Sequence, residues 1–137
     1  MPLYRSAQAK WKGSGLEGSG LLCTQSTLIQ DAPFNFKGRF ACEEHEANPE
    51  ELLAAALASC FVMKLSFIIS ESGYTCNQLN TTAKVKFENG TITGVHLLIH
   101  VVVIHINLST LTDCIEQGIK NCPVSNALNV PVSYEIG

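Results

Sequence analysis

No C-x-x-C pair and no cysteine–histidine cluster at zinc-finger spacing occurs in these 137 residues, which argues against a structural metal site. Excess positive charge is missing too. Nine lysines and arginines face twelve aspartates and glutamates, for a net charge of −3. Nucleic acid and an anionic membrane are therefore poor partners. Residues 1–10 lack the apolar run of a signal peptide, so a cytoplasmic location is expected. No repeat, linker or low-complexity tract interrupts the chain, and its length predicts one domain over residues 1–137. What is plentiful is cysteine: Cys23, Cys42, Cys60, Cys76, Cys114 and Cys122. In a cytosolic chain, reduced thiols are the default and catalytic or redox use is the exception.

The stretch from Asn48 to Gly73 organises the rest. Asn48 can cap a helix, Pro49 suits its first turn, and Glu50 and Glu51 lie where the helix dipole favours negative charge. Asn48 and Glu51 together form a variant of the capping box. From Leu52 to Met63 no charge appears, Lys64 is the first, and Gly73 supplies a left-handed stop. The predicted helix has roughly 24 residues and is about 36 Å long. Its apolar residues run all the way round, which places it in a core or a membrane. Lys64 and Glu71 argue against the membrane. A chain this short can hardly bury both faces, so a partner subunit is expected.

Residues 3–11 and about 18–29 read as strands, parted by Gly13-Ser14-Gly15 and Gly18-Ser19-Gly20. Asp31-Ala32-Pro33 turns into a third strand, Phe34 to Phe40, and the acidic run Cys42 to Glu46 is a loop. After the helix, Leu79, Thr81, Ala83, Val85 and Phe87 share one strand face. Asn89-Gly90 is a strong hairpin signal. The returning strand, about 91–106, is apolar on both faces, which suits a central or doubly covered position. Thr110 with Asp113 opens a second helix with Leu111, Ile115 and Ile119 on one face. Pro123 starts a short third helix through Leu128, and Val130 to Ile136, carrying Pro131, is an edge strand. The order is βββ-α-ββ-α-α-β, an α+β domain.

Local chemistry points first to Cys122. With Pro123 at the first helical position, its sulfur meets exposed amides, and helix amino termini lower thiol pKa values. A small buried residue before a helix is the plain alternative. Cys60 lies inside a helix, where no helix end activates it, and a core cysteine is its plain alternative. On local grounds Cys122 is the more reactive thiol. His96 and His100 share a strand face and His105 falls on the other, so they read as core or interface residues and not as ligands. Glu43, Glu44, His45 and Glu46 read as a solvated loop, with a lid as the alternative. Trp11 reads as packing, and Cys23, Cys42, Cys76 and Cys114 as structural or incidental, with Cys42 notable for following Arg39 by three residues.

Asn48-Pro49-Glu50-Glu51-Leu52, then Ala58-Ser59-Cys60-Phe61, then Cys122-Pro123-Val124-Ser125 resemble the OsmC/Ohr family, the osmotically inducible and organic hydroperoxide resistance proteins. Gly38-Arg39-Phe40 is similar to the Arg-Phe before the helix in the OsmC branch. The resemblance spans nearly the whole chain, with element order intact. It departs in an acidic loop before Asn48 and a short turn at 88–91.

The resemblance implies a thiol-dependent peroxidase, active in oxidative and osmotic stress defence, that reduces organic hydroperoxides to alcohols. It implies an intertwined homodimer with a long, buried central helix and two active sites at the interface. Cys60 would be the peroxidatic cysteine and Cys122 the resolving one, joined as a disulfide during turnover. Arg39 and Glu50 would activate Cys60 and orient peroxide. No cofactor is bound; an external dithiol, such as a lipoylated protein, would reduce the disulfide. Glu50 and Cys60 stand about 15 Å apart along one helix, so Glu50 would serve the thiol of an antiparallel partner. Lowering a thiol's pKa gains little, because nucleophilicity falls with it. The larger effect expected of Arg39 is stabilisation of the departing alkoxide. Leu57, Phe61 and Met63 are candidates for an apolar face favouring alkyl or aryl hydroperoxides. A redox-sensing or small-molecule-binding relative using the same pocket is the alternative reading.

Overall fold

The computed structural model describes residues 1–41 and 46–137. Cys42, Glu43, Glu44 and His45 lie outside the described residues, and with them most of the suggested lid. Two compact units are distinguished, Met1–Leu52 and Leu53–Gly137.

In the first unit β1 (Ala7–Lys12), β2 (Ser19–Thr24) and β3 (Ala32–Phe34) form an antiparallel sheet with β2 in the middle. The third strand is shorter than its sequence suggests and ends where it was expected to begin. Asn35 Oδ1 accepts the Gly38 N–H at 2.7 Å, folding Lys37–Arg39 into a 3-10 turn before the ladder can extend. Trp11 packs on Phe34 with ring centroids 5.5 Å apart. Its indole N–H donates to the Gly13 and Ser14 carbonyls, so it also fixes the turn out of β1.

Helix α1 (Pro49–Glu71) begins in this unit and continues into the second. Asn48 caps it: the Glu50 and Glu51 N–H groups donate to Asn48 Oδ1 at 2.9 and 3.1 Å. It ends at Gly73, whose φ of +91° lets the Tyr74 N–H turn back to the Ile69 carbonyl.

The second unit adds β4 (Cys76–Glu88), β5 (Thr91–Val103), α2 (Leu108–Asn121), α3 (Pro123–Ala127) and β6 (Val132–Ile136). Asn89 and Gly90 both have positive φ, the type I′ requirement for the two-residue β4–β5 hairpin. β5 is the central strand, antiparallel to β4 and parallel to the edge strand β6. It stops at Val103, short of 106, and His105 at φ 68° belongs to the following turn. Asn107 caps α2, its Oδ1 taking the Thr110 N–H at 2.8 Å. The expected opening at Thr110 therefore lies one turn inside the helix.

The core is built from Leu57, Phe61, Leu65, Ile68 and Ile69 of α1, Val95, Leu97 and Ile99 of β5, and Leu111, Cys114 and Ile115 of α2, with Cys122. Thus α1 buries one face in its own chain and leaves an apolar opposite face uncovered, where Met63 is 61% and Phe67 68% exposed. As expected of a chain this short, α1 has only one of its faces buried by its own chain. β5 behaves alike: Val95, Leu97 and Ile99 are buried, while His96 is half-buried and His100 exposed. The histidines are not core residues.

Candidate active site

Two sulfurs 62 positions apart in sequence meet in the second unit: the Cys122 thiol donates to Cys60 Sγ at 2.9 Å. Cys60 rides on α1, half-buried beside the core. Cys122 is the single residue between α2 and α3, in extended backbone. It ends one helix, with its N–H on the Gly118 carbonyl at 2.9 Å, and starts the next. Pro123, lacking a donor and fixed in φ, suits the first position of α3. The corner this makes aims the Cys122 side chain inward, where no solvent reaches it.

The amides of Val124 and Ser125 do approach the Cys122 sulfur and favour the thiolate, as a helix terminus should. Burial outweighs them, reinforced by the hydrogen bond and the charge of Cys60, and the pKa of Cys122 is pushed up. The helix start by itself predicts a lowered pKa for Cys122; its surroundings raise it instead. A terminus of two or three amides cannot offset removal of the sulfur from water.

In the first unit the 3-10 turn presents Arg39 to the start of α1. Arg39 Nε donates to Glu50 Oε1 at 2.8 Å, and a terminal guanidinium nitrogen reaches the same oxygen at 2.8 Å. Glu50 is buried and Arg39 partly exposed. Glu50 Oε2 is buried with no hydrogen-bond partner among the described residues. The pair is held through one carboxylate oxygen and does not match both oxygens to the fork.

Other expectations fall out plainly. Leu57 and Phe61 are wholly consumed by core packing, and Met63 points away into the uncovered face, so these three do not form one surface around Cys60. His96 bridges Ser133 at 2.7 Å and Glu135 at 2.9 Å on the open side of the second sheet. Cys23 exchanges contacts with Asp31, and Cys114 is buried 3.7 Å from Ser72 Oγ. Among the described residues, no three histidine, cysteine or acidic side chains converge as metal ligands. What sequence reasoning missed is the polar scaffold around Arg39, formed by Asn35 and by the second arm of Asn48. The helix cap uses only the acceptor end of the Asn48 carboxamide, and its donor end goes to the Gly38 carbonyl.

The second unit thus holds two thiols within contact distance, and the first holds a guanidinium–carboxylate pair. Residues 42–136 match the family described as OsmC-like protein. Peroxiredoxin OsmC of Escherichia coli (strain K12) is 36% identical over 98% of this chain and 96% of its own length. An OsmC-like protein of unknown function from Vibrio cholerae shares the fold with a TM-score of 0.77 at 20% identity, covering 99% of this chain and 100% of its own. An organic hydroperoxide resistance protein from Elizabethkingia anophelis gives a TM-score of 0.71 at 25% identity, over 100% and 99% of the two chains.

Proposed function

The chain belongs to the OsmC-like protein family, and from that premise we propose that it is a cysteine-based peroxidase reducing organic hydroperoxides to alcohols in stress defence. The observation that carries this reading is the approach of Cys60 and Cys122 to 2.9 Å, with only Cys122 sealed from solvent.

Cys60 attacks as the thiolate. Its sulfur bonds the terminal oxygen of the hydroperoxide, the O–O bond breaks, and the alkoxide leaves to take up a proton as alcohol. Cys60 is then a sulfenic acid. The Cys122 thiol condenses with it: the S–S bond forms, and the Cys122 proton leaves with the sulfenic hydroxyl as water. Sealed from solvent, the Cys122 thiol does not meet peroxide, yet it lies 2.9 Å from Cys60 for this second step. An external dithiol, such as a lipoylated protein, exchanges with the disulfide and restores both thiols. The cycle needs no bound cofactor.

Arg39 and Glu50 complete the reading. The guanidinium stabilises the negative oxygen that develops as the peroxide bond breaks, and Glu50 holds it at the angle required. We read the pair as serving a thiol across a homodimer interface, with the long helices of two copies packed against each other. The uncovered apolar face of α1 supports that assembly, since exposed Met63 and Phe67 favour a covering partner. In this reading residues 1–137 act as one catalytic domain in the cytoplasm.

Turnover of cumene hydroperoxide with dihydrolipoamide tests the proposal. Wild type should consume peroxide and Cys60→Ser should abolish it. Cys122→Ser should give one turnover and stop. A wild type that reduces no organic hydroperoxide with any dithiol would leave a sensor or binding protein instead.

A further inference from the structure

The Asn48 carboxamide has two ends, and each holds a different member of the Arg39–Glu50 pair. Its oxygen accepts the N–H groups of Glu50 and Glu51, which fixes the first turn of α1 and hence the root of the Glu50 side chain. Its nitrogen donates to the Gly38 carbonyl at 3.0 Å, the peptide that leads directly into Arg39. The N–H of Gly38 is held in turn by Asn35 Oδ1 at 2.7 Å, and Asn35 Nδ2 leans on Glu46 Oε1 at 3.3 Å. Gly38 is thus gripped at both of its backbone polar groups. A Cβ there would come within 2.6 Å of Glu46 Oε2, so any larger residue would make the Glu46 side chain shift.

A ring of contacts results. It runs from Asn48 to Gly38, along the chain to Arg39, across the ion pair to Glu50, and back through the Glu50 amide to Asn48. A helix cap alone explains the oxygen end, and serine or aspartate would supply that as well. It does not explain the nitrogen end. From this ring we infer that Asn48 is a positioning residue: it sets the Arg39 guanidinium against Glu50 by tying the arginine turn to the helix that carries the carboxylate. The inference rests on the role given to Arg39 above.

Two variants separate positioning from capping. Asn48→Ser keeps a capping oxygen but has no arm long enough for Gly38. Asn48→Asp keeps the cap and turns an oxygen toward the Gly38 carbonyl, which repels it. Both should lower kcat/KM for cumene hydroperoxide by about tenfold or more, as displaced catalytic groups do. Placed on Arg39→Met, neither should cost more than about twofold further, because the two changes act through one group. The arginine Nε–H resonance of Arg39 should lose its protection from exchange in Asn48→Ser. If Asn48→Ser retains wild-type turnover and a wild-type Arg39 resonance, or if its cost simply adds to that of Arg39→Met, Asn48 is only a cap and the inference falls. Should wild type prove inactive while the resonance still changes in Asn48→Ser, the positioning stands and the peroxidase reading is what fails.

Discussion

Burial and protonation set Cys122 apart. The pKa of Cys122 is raised by burial and by Cys60 above its ordinary value of 9.0. The folded chain therefore holds that proton more tightly than the unfolded chain does. Stability from this source is complete below about pH 9 and is lost as pH rises through the folded-state value. Urea unfolding of the reduced protein should show a midpoint that falls at alkaline pH, and Cys122→Ala should fall less steeply over the same window. An unchanged slope would place the Cys122 proton elsewhere. Glu50→Gln offers a second residue-level prediction. It removes the charge that orients Arg39, so kcat/KM should drop about tenfold or more with the fold retained, as circular dichroism would show. Of these groups, Cys60, Cys122, Arg39 and Glu50 could all be named from motif resemblance. The raised pKa of Cys122 could not, because it depends on burial and on Cys60, 62 positions away in sequence.

At the scale of elements, α2 crosses α1 at Gly118, and the glycine is there for closeness. A Cβ at Gly118 would lie 3.1 Å from Cε1 of Phe61, which is fully buried one residue after Cys60. Gly118→Val should overpack this crossing and destabilise the protein by roughly 1–3 kcal/mol in denaturant titrations. Phe61→Ala opens the same place from the other side and should cost about 3–5 kcal/mol. A neutral result for both would mean the helices are not in contact here. Elements with strong local signals were legible beforehand: the Asn48 cap, the Asn89-Gly90 hairpin, the Pro123 start of α3 and the edge position of β6. Two were misjudged for a shared reason. Phe34 to Phe40 looks like a strand by composition, and Thr110 looks like a cap. In each case an asparagine side chain bonded to the backbone overrides the pattern, Asn35 by closing the 3-10 turn and Asn107 by capping one turn earlier.

For the molecule as a whole, α1 poses the question of assembly, since a chain that buries Leu57, Phe61 and Leu65 on one side leaves Met63 and Phe67 bare on the other. Apolarity all round a helix is visible in sequence; which half is covered by the chain itself is not, because that depends on where the second sheet and α2 pack. If two copies share this face, Met63→Glu with Phe67→Glu should yield a monomer by light scattering and remove hydroperoxide turnover. A fully active monomer would contradict a shared site. The central claim is narrower and concerns the sulfurs 2.9 Å apart. Its most direct test is intact mass followed by peptide mapping after one equivalent of cumene hydroperoxide is added to reduced protein. The account predicts that wild type loses two hydrogens and yields a Cys60–Cys122 cross-linked peptide, while Cys122→Ser gains one oxygen on Cys60. Oxidation at other cysteines with Cys60 and Cys122 left as thiols would contradict it.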